Sequence, residues 1–316
     1  MKAVSPVGNL LATAGLGMAR LLGALVPTSW LVNFGRVMVI PVVYSVPRVR
    51  RALLDNAAHI LGPDSSLAAR RTLAFGVLRS FSRFAMEVLT SHKRLPTDEE
   101  LFDTMRGKEH YDRANEAGRG IIGVTLHMGN YEVGPLLLTR LHQPVAIVYN
   151  RDPVGTFEQM RSELRRKHSI VEIPVDGSAF FGVDALAVLK QKGMVLLAAD
   201  TGFEASSGGA LYPFLDGQAP FLNWPARLAL ASKAPILPCV VVRDENDRYR
   251  LEIDPPIFPD EGSPDEGDGV DGMMARLLRV FERYVVRYPD QWLIIHRYWA
   301  KESGPARGPE RGDETA

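Results

Sequence analysis

Cysteine is almost absent from this 316-residue chain, in which Cys239 is the single example. One cysteine cannot form an intramolecular disulfide, and it excludes a metal site built from several thiolates. An excess of charge is absent as well, because 37 basic residues (Lys and Arg) balance 37 acidic ones (Asp and Glu). A zero net charge disfavours a protein that coats nucleic acid, so we expect no nucleic-acid partner.

Long apolar runs and nucleotide-binding glycine motifs are also missing. A membrane-spanning helix needs about 20 consecutive apolar residues. The apolar segment 7–46 falls short because it is interrupted at Arg20, Pro27, Arg36 and Pro41. It fits either a pair of core helices or an interfacial anchor whose arginines reach the headgroups, and the basic run 47–51 would suit anionic lipids. No Walker motif or dinucleotide fingerprint is present.

Helical periodicity dominates between residues 48 and 118, and strand and helix patterns alternate after that. Apolar residues recur at spacings of three and four in the first part, as at Leu73, Val77 and Phe81. "LPTDEELFDTM" also carries a helix-start signature, with Thr97 as the N-cap. Strands are predicted at 121–126, 145–149, 169–173, 194–199, 235–242 and 249–253, and helices at 157–168, 183–192, 224–233 and from Met274 to Tyr288.

This alternation predicts an α/β fold with a mostly parallel central sheet flanked by helices. We divide the chain into three parts: a hydrophobic, helical, membrane-associating segment (1–47), an α/β domain (48–302) and a disordered tail (303–316).

The stretch "IIGVTLHMGNYE" places a histidine at the end of a buried strand. His127 should emerge at the carboxyl edge of a parallel sheet, where open α/β sheets bind ligands. Asn130 suits the N-cap of the next helix, which would put Glu132 in its first turn. A carboxylate that accepts one ring proton fixes the tautomer, and the other ring nitrogen can then deprotonate a hydroxyl. The spacing also fits a purely structural pair. It disfavours a metal site, and we expect no metal.

Beyond these physical arguments, "HMGNYE" resembles the His-x4-Asp/Glu signature of the lysophospholipid acyltransferase superfamily. The closer similarity is to its branch of lipid A biosynthesis late acyltransferases and phosphatidylinositol mannoside acyltransferases. The segments "VAIVYNRDP", "LLAADTGFE" and "PDQWLIIHRYW" extend the resemblance over about residues 48–300. The sequence departs from the family pattern at Met128 (usually aromatic), at Thr201 (usually Gln) and at Asn150, which separates a usual Tyr-Arg pair.

The resemblance implies transfer of a fatty acyl chain from an acyl-carrier-protein or coenzyme A thioester to a hydroxyl of a glycolipid or phospholipid. It implies no bound cofactor, and a position on the cytoplasmic face of the inner membrane, either peripheral or anchored by the amino-terminal segment. The implied roles are general base for His127, orienting acid for Glu132, catalytic support for Asp200 and Glu204, and substrate binding for Asn130, Arg151 and Arg227.

Two other functions remain open from the sequence. The same scaffold could use water as the acyl acceptor, which would make the protein a thioester hydrolase. Alternatively, the fold could serve a lipid-binding protein without catalytic activity.

Overall fold

The structure is a computed structural model that describes residues 30, 33, 35–90, 105–142, 144–152, 155–175, 181–200, 209–246, 248–261 and 269–300. The described strands form one seven-stranded sheet and one hairpin. The sheet contains β1 (Met105–Arg106), β2 (Ile121–Thr125), β3 (Val145–Tyr149), β4 (Val171–Pro174), β5 (Met194–Ala198), β8 (Ile236–Arg243) and β9 (Tyr249–Ile253), and the hairpin contains β6 (Gly209–Phe214) and β7 (Gly217–Leu222).

The strand order in the sheet is β1-β9-β8-β2-β5-β3-β4. Strands β8, β2, β5, β3 and β4 all run parallel, whereas β9 is antiparallel to β8 and β1 is parallel to β9. The two edge strands on one side are therefore reversed. This arrangement confirms the predicted α/β class with a mostly parallel sheet.

Helices cover the sheet and the hairpin. Those described are α1 (Ile40–Ser45), α2 (Pro47–Leu61), α3 (Leu67–Thr90), α4 (Lys108–Glu116), α5 (Val133–Leu138), α6 (Gly155–Lys167), α7 (Phe181–Lys190), α8 (Trp224–Ser232) and α9 (Gly269–Arg287). A π-helical turn (Gly35–Val39) precedes α1, and a 3-10 turn (Pro289–Gln291) follows α9.

The central strands are apolar on both faces because helices pack on each side of the sheet. In β2, Ile122 and Val124 point to one core cluster, which includes the buried face of α9. Ile121 points to the other face, where α4 and α5 pack. Gly123 on that second face leaves space beside α5.

Each of the six predicted strands is confirmed to within two residues at either end, and helices lie where the later helical patterns predicted them. The short strand β1 and the hairpin were not predicted, nor was the reversal of β9.

The predicted helix start at Thr97 lies outside the described residues, as do 303–316 and most of 1–47. The division into three parts stays a prediction. No helix among the described residues is long and apolar enough to span a bilayer.

Candidate active site

The site lies at the carboxyl edge of the parallel strands. Strands β2 and β5 are neighbours, with Thr125 in register with Ala198. His127 and Asp200 each follow two residues after these positions. The sheet register therefore brings an imidazole and a carboxylate to the same place. The position of His127 at the carboxyl edge of the sheet was predicted, but Asp200 as its neighbour was not.

Asp200 is the carboxylate that binds the His127 ring. Nδ1 of His127 donates to Oδ1 of Asp200 at 2.7 Å, and the His127 backbone amide donates to Oδ2 at 2.9 Å. The Asp200 side chain is 0% exposed, whereas that of His127 is 21% exposed. Because an ionised carboxylate only accepts, this contact places the ring proton on Nδ1 and leaves Nε2 as a base. Nε2 makes no hydrogen bond to any residue that the structure describes.

The ionisation of Asp200 depends on these contacts. Burial raises the pKa of the Asp200 carboxyl, but the charge of His127 and the hydrogen bonds from His127 and Trp292 outweigh that effect. The pKa therefore lies below its usual value, and the carboxylate stays charged beside the ring.

Glu132 has a different partner from the one that the sequence suggested. Its buried carboxylate accepts from Arg161 at 2.5 Å and from Arg165 at 3.2 and 3.3 Å. Both arginines lie on α6, four residues apart and so on one helix face. Burial raises the pKa of Glu132, but the two arginines outweigh it and the pKa is lowered. The structure thus corrects the predicted role of orienting acid, because α6 binds this carboxylate and Asp200 takes its place at the ring.

Asn130 also differs from its prediction as an N-cap. Helix α5 begins at Val133, and Asn130 makes no side-chain cap. Its Nδ2 instead donates to Oε2 of Glu87 and to the hydroxyl of Tyr249, both at 3.0 Å. Asn130 is 3% exposed and lies behind the His127 loop, away from the main cavity. It fixes the loop to α3 and β9, and the structure gives it no place at the substrate.

Gly129 allows the loop to pass close to β8. Its φ is 57°, and a Cβ added there would lie 2.0 Å from the carbonyl oxygen of Val241. A side chain at this position would force the loop away from β8, and His127 would move with it. The close contact with β8 therefore explains why a glycine occupies this position of the motif.

Tyr131 also belongs to the site, although no role was predicted for it from the sequence. Its ring lies 4.5 Å from the His127 ring at an interplanar angle of 67°, and it stacks on Phe84 at 4.7 Å. The His127 ring is therefore held by Asp200 at Nδ1 and packed by Tyr131. The sequence signal was the aromatic position directly before Glu132.

A cavity of about 280 Å³ opens beside His127, between the sheet and α5. Its inner part is apolar and reaches Gly123, Leu196 and Leu138. Gly123 lies on β2, four residues before His127 and two before the end of the strand. Besides His127, the polar or aromatic residues of the lining are Thr125, Tyr131, Glu132, Tyr149, Asn150, Asp152, Arg161 and Trp224.

Two further predicted residues, Arg151 and Arg227, lie outside this cavity. Arg151 is exposed and does not line it, although its neighbours Asn150 and Asp152 do. Arg227 is also exposed, and its Nε donates to Oδ1 of Asn223 at 3.1 Å. Glu204 lies outside the described residues. Arg161 is the arginine that the structure brings to the cavity, and the sequence had shown it only as one of several arginines on a predicted helix.

Metal binding finds no support in the described part of the chain, which contains no group of three or more His, Cys, Asp or Glu side chains able to hold an ion. The expectations of no metal and no bound cofactor stay predictions.

Comparison with protein families identifies a match over nearly the whole chain. No curated protein is significantly similar to the chain. The family model described as bacterial lipid A biosynthesis acyltransferase matches residues 3–301, nearly the whole sequence. That range contains the His127 loop, Asp200 and the residues around the cavity. The chain belongs to the bacterial lipid A biosynthesis acyltransferase family.

Proposed function

We propose that this protein is a membrane-associated O-acyltransferase that transfers a fatty acyl chain from an acyl thioester to a hydroxyl of a glycolipid or phospholipid. Family membership supports acyl transfer of the lipid A type in general terms. The observation that carries the finer proposal is the His127–Asp200 pair beside an apolar cavity.

In the proposed reaction, Nε2 of His127 accepts the proton of the acceptor hydroxyl as its oxygen attacks the thioester carbonyl carbon. Asp200 stabilises the imidazolium that forms. The carbonyl then re-forms, the carbon–sulfur bond breaks, and the thiolate takes the proton from Nε2 to leave as a thiol. The products are an ester and a free thiol. His127 and Asp200 return to their starting states.

The cavity can hold the apolar acyl tail of the donor and the polar headgroup of the acceptor. Its apolar inner part, between Gly123 and Leu138, suits the acyl tail. Asn150, Asp152 and Arg161 supply amide, carboxylate and guanidinium groups for a polar headgroup. We assign the donor to an acyl carrier protein or coenzyme A thioester, and Arg151 and Arg227 stay candidates for its anionic groups from the edge of the site.

Membrane association is part of the proposal because the acceptor is a lipid. The described residues before α2 expose large apolar side chains, with Trp30 at 72% and Val42 at 66%. The exposed Arg48 and Arg51 lie directly after them. Apolar side chains next to arginines suit a surface that contacts anionic lipid. We place the protein at the cytoplasmic face of the inner membrane.

Product analysis tests this function. The full chain is incubated with a radiolabelled acyl thioester, with and without a lipid extract that contains hydroxyl-bearing glycolipids and phospholipids. We expect label in a lipid ester only when the extract is present. Free fatty acid released equally in both reactions would identify a hydrolase instead. Bound lipid without any turnover would identify a lipid-binding protein.

A further inference from the structure

We propose that Trp292 is a positioning residue of the active site and that it acts through Asp200. This inference rests on the proposed function. Nε1 of Trp292 donates to Oδ2 of Asp200 at 2.8 Å, and the indole is 2% exposed. From its sequence context alone, this residue is expected to be a core aromatic.

Trp292 completes the set of donors around a carboxylate without solvent contact. Oδ1 of Asp200 accepts from the His127 ring, and Oδ2 accepts from the His127 backbone amide and from the indole. With the indole on Oδ2, Oδ1 is turned to the imidazole. A buried carboxylate that loses one donor has a desolvation cost that is no longer fully compensated by hydrogen bonds. Its side chain is also freer to rotate.

The backbone around Trp292 is paired with the catalytic loop itself. Met128 and Trp292 form an antiparallel bridge. The Gly129 amide donates to the carbonyl of Gln291 at 2.8 Å, and the Leu293 amide donates to the carbonyl of His127 at 2.8 Å. Segment 291–293 therefore lies beside 127–129 like an added strand. The same segment fixes the His127 backbone and supplies the indole to Asp200.

Further contacts hold this segment in place. The Gln291 side chain accepts from the Arg243 amide at 2.8 Å and donates to the Arg243 carbonyl at 3.0 Å, which ties the segment to the end of β8. The Trp292 ring packs against Tyr298 at 4.9 Å and Trp299 at 5.7 Å. Both the backbone of Trp292 and its ring are thus held in place. A residue that orients another side chain needs such support.

Trp299 provides a matched control in the same aromatic cluster. It is 3% exposed, and its Nε1 donates to the carbonyl of Phe214 at 3.0 Å. Replacing either tryptophan by phenylalanine removes one buried indole hydrogen bond and a similar amount of ring. Of the two, only Trp292 donates to Asp200, so the effect on the His127–Asp200 pair should be large in Trp292→Phe and small in Trp299→Phe, where phenylalanine keeps an aromatic ring against Trp292.

The first measurement uses the unaltered full chain. Nuclear magnetic resonance follows the indole N–H signals of both tryptophans and the ring signals of His127 over a pH titration. We expect the Trp292 signal to shift with the same midpoint as the His127 ring, because the indole and the ring share one carboxylate. The Trp299 ring stacks on His59 at 4.5 Å, so its signal should respond to that histidine and should not follow the midpoint of the His127 ring. A Trp292 signal that ignores the His127 titration overturns the proposal, and this readout does not require acyl transfer.

The second measurement compares Trp292→Phe with Trp299→Phe in acyl transfer. We expect kcat to fall about tenfold or more in Trp292→Phe and much less in Trp299→Phe, with KM for the thioester unchanged in both, as for other residues that orient a reacting side chain. The acid limb of the pH–rate profile should move to higher pH, since a carboxylate with one donor fewer stabilises the imidazolium more. Equal kinetics and pH profiles in the two variants would contradict the proposal.

A third variant keeps the test valid if Trp292→Phe does not fold. Incorporation of benzothienylalanine at position 292 replaces the indole N–H by sulfur and keeps the ring size. The same loss of kcat and the same shift of the acid limb are expected, and unchanged kinetics would again contradict the proposal. A wild-type protein without transfer activity but with the shared titration would refute the proposed function and leave the Trp292–Asp200–His127 coupling intact.

Discussion

Two buried carboxylates lie close to His127, and their neighbours give them different tasks. Asp200 accepts from the imidazole, a backbone amide and an indole, so its charge is directed at the reacting ring. Glu132 accepts from Arg161 and Arg165, so its charge is directed at helix α6. The environment of each acid, more than its place in the motif, sets its role.

Substitution of the two acids by their amides should therefore give opposite results. We expect Asp200→Asn to keep its fold and to lose about 10³- to 10⁴-fold in kcat, because an amide can no longer hold the tautomer and the imidazolium. Glu132→Gln should lose about 3–5 kcal/mol of unfolding free energy, because it removes a buried carboxylate that Arg161 and Arg165 share and leaves Arg165 with Glu172 alone among the described carboxylates. Denaturant unfolding and kinetics on the same preparations measure both effects.

The pH profile supplies the control for that comparison. The residual activity of Glu132→Gln should keep the wild-type pH dependence, whereas that of Asp200→Asn should not. An Asp200→Asn protein with nearly full activity would contradict the assignment of Asp200 as the partner of His127.

Acid sensitivity is a second prediction at the scale of single residues. Glu132 and Asp200 are buried and Glu87 is largely so, and this burial raises the pKa values of the three carboxyls. Nearby cations and hydrogen-bond donors outweigh burial and lower all three pKa values. Unfolding returns the glutamates to about 4.5 and Asp200 to about 3.8. Their contribution to stability is thus fully present above pH 4.5 and is lost as pH falls through the lower folded-state pKa values. Urea unfolding at a series of pH values from about 3 to about 7 measures this loss of unfolding free energy. A free energy of unfolding that rises on acidification would contradict the prediction.

At the scale of elements, β2, β5 and α5 form the walls of the proposed acyl site. Gly123 on β2 faces Leu196 on β5, and a Cβ at Gly123 would lie 2.4 Å from Cδ2 of Leu196. Leu138 on α5 lies at the same inner end of the cavity. A larger side chain at position 123 should therefore shorten the cavity from its closed end.

We expect Gly123→Val to shift donor preference toward shorter acyl chains, with kcat/KM for the longest accepted donor falling about tenfold relative to shorter ones, the range of a pocket that loses a few methylenes. Ala146→Val is the matched control, because Ala146 is equally buried but faces the opposite side of the sheet. Competition between thioesters of different length measures the preference. An unchanged preference in Gly123→Val would refute the placement of the acyl tail.

The elements also show how far the sequence could predict the fold and the site. Strands such as β2 and β5 could be predicted from the sequence because central strands of a parallel sheet are continuous apolar runs. The hairpin was not, because Pro213 and Pro220 interrupt its strands and prolines read as breaks in a strand pattern. The residues that bind Glu132 could not be predicted from the sequence for another reason. It depends on how α6 packs against the loop, which residue spacing does not encode.

At the scale of the whole molecule, exposed apolar residues are concentrated before α2. Val37, Met38, Val42 and Val46 are all more than 40% exposed, and Trp30 is exposed as well. Large exposed apolar patches mark sites of interaction with lipid or protein. The neighbouring arginines favour an anionic bilayer as the partner.

Vesicle binding by the full chain tests this surface. We expect Val42→Glu to weaken binding to vesicles that contain anionic phospholipid by about tenfold, because a charge replaces a side chain buried in the interface. Val183→Glu is the control, since Val183 is similarly exposed at 60% but lies on α7. Added salt should weaken wild-type binding. Equal loss in both variants, or no loss in Val42→Glu, would exclude this surface as the docking site.

The most direct test of the proposed chemistry is acyl transfer by His127→Ala with and without added imidazole. We predict that the folded variant loses about 10²- to 10⁴-fold in transfer rate, the usual contribution of a general base. Free imidazole should restore part of the rate, because the vacated position beside Asp200 opens into the cavity. A folded His127→Ala protein that transfers the acyl chain at the wild-type rate would contradict the account.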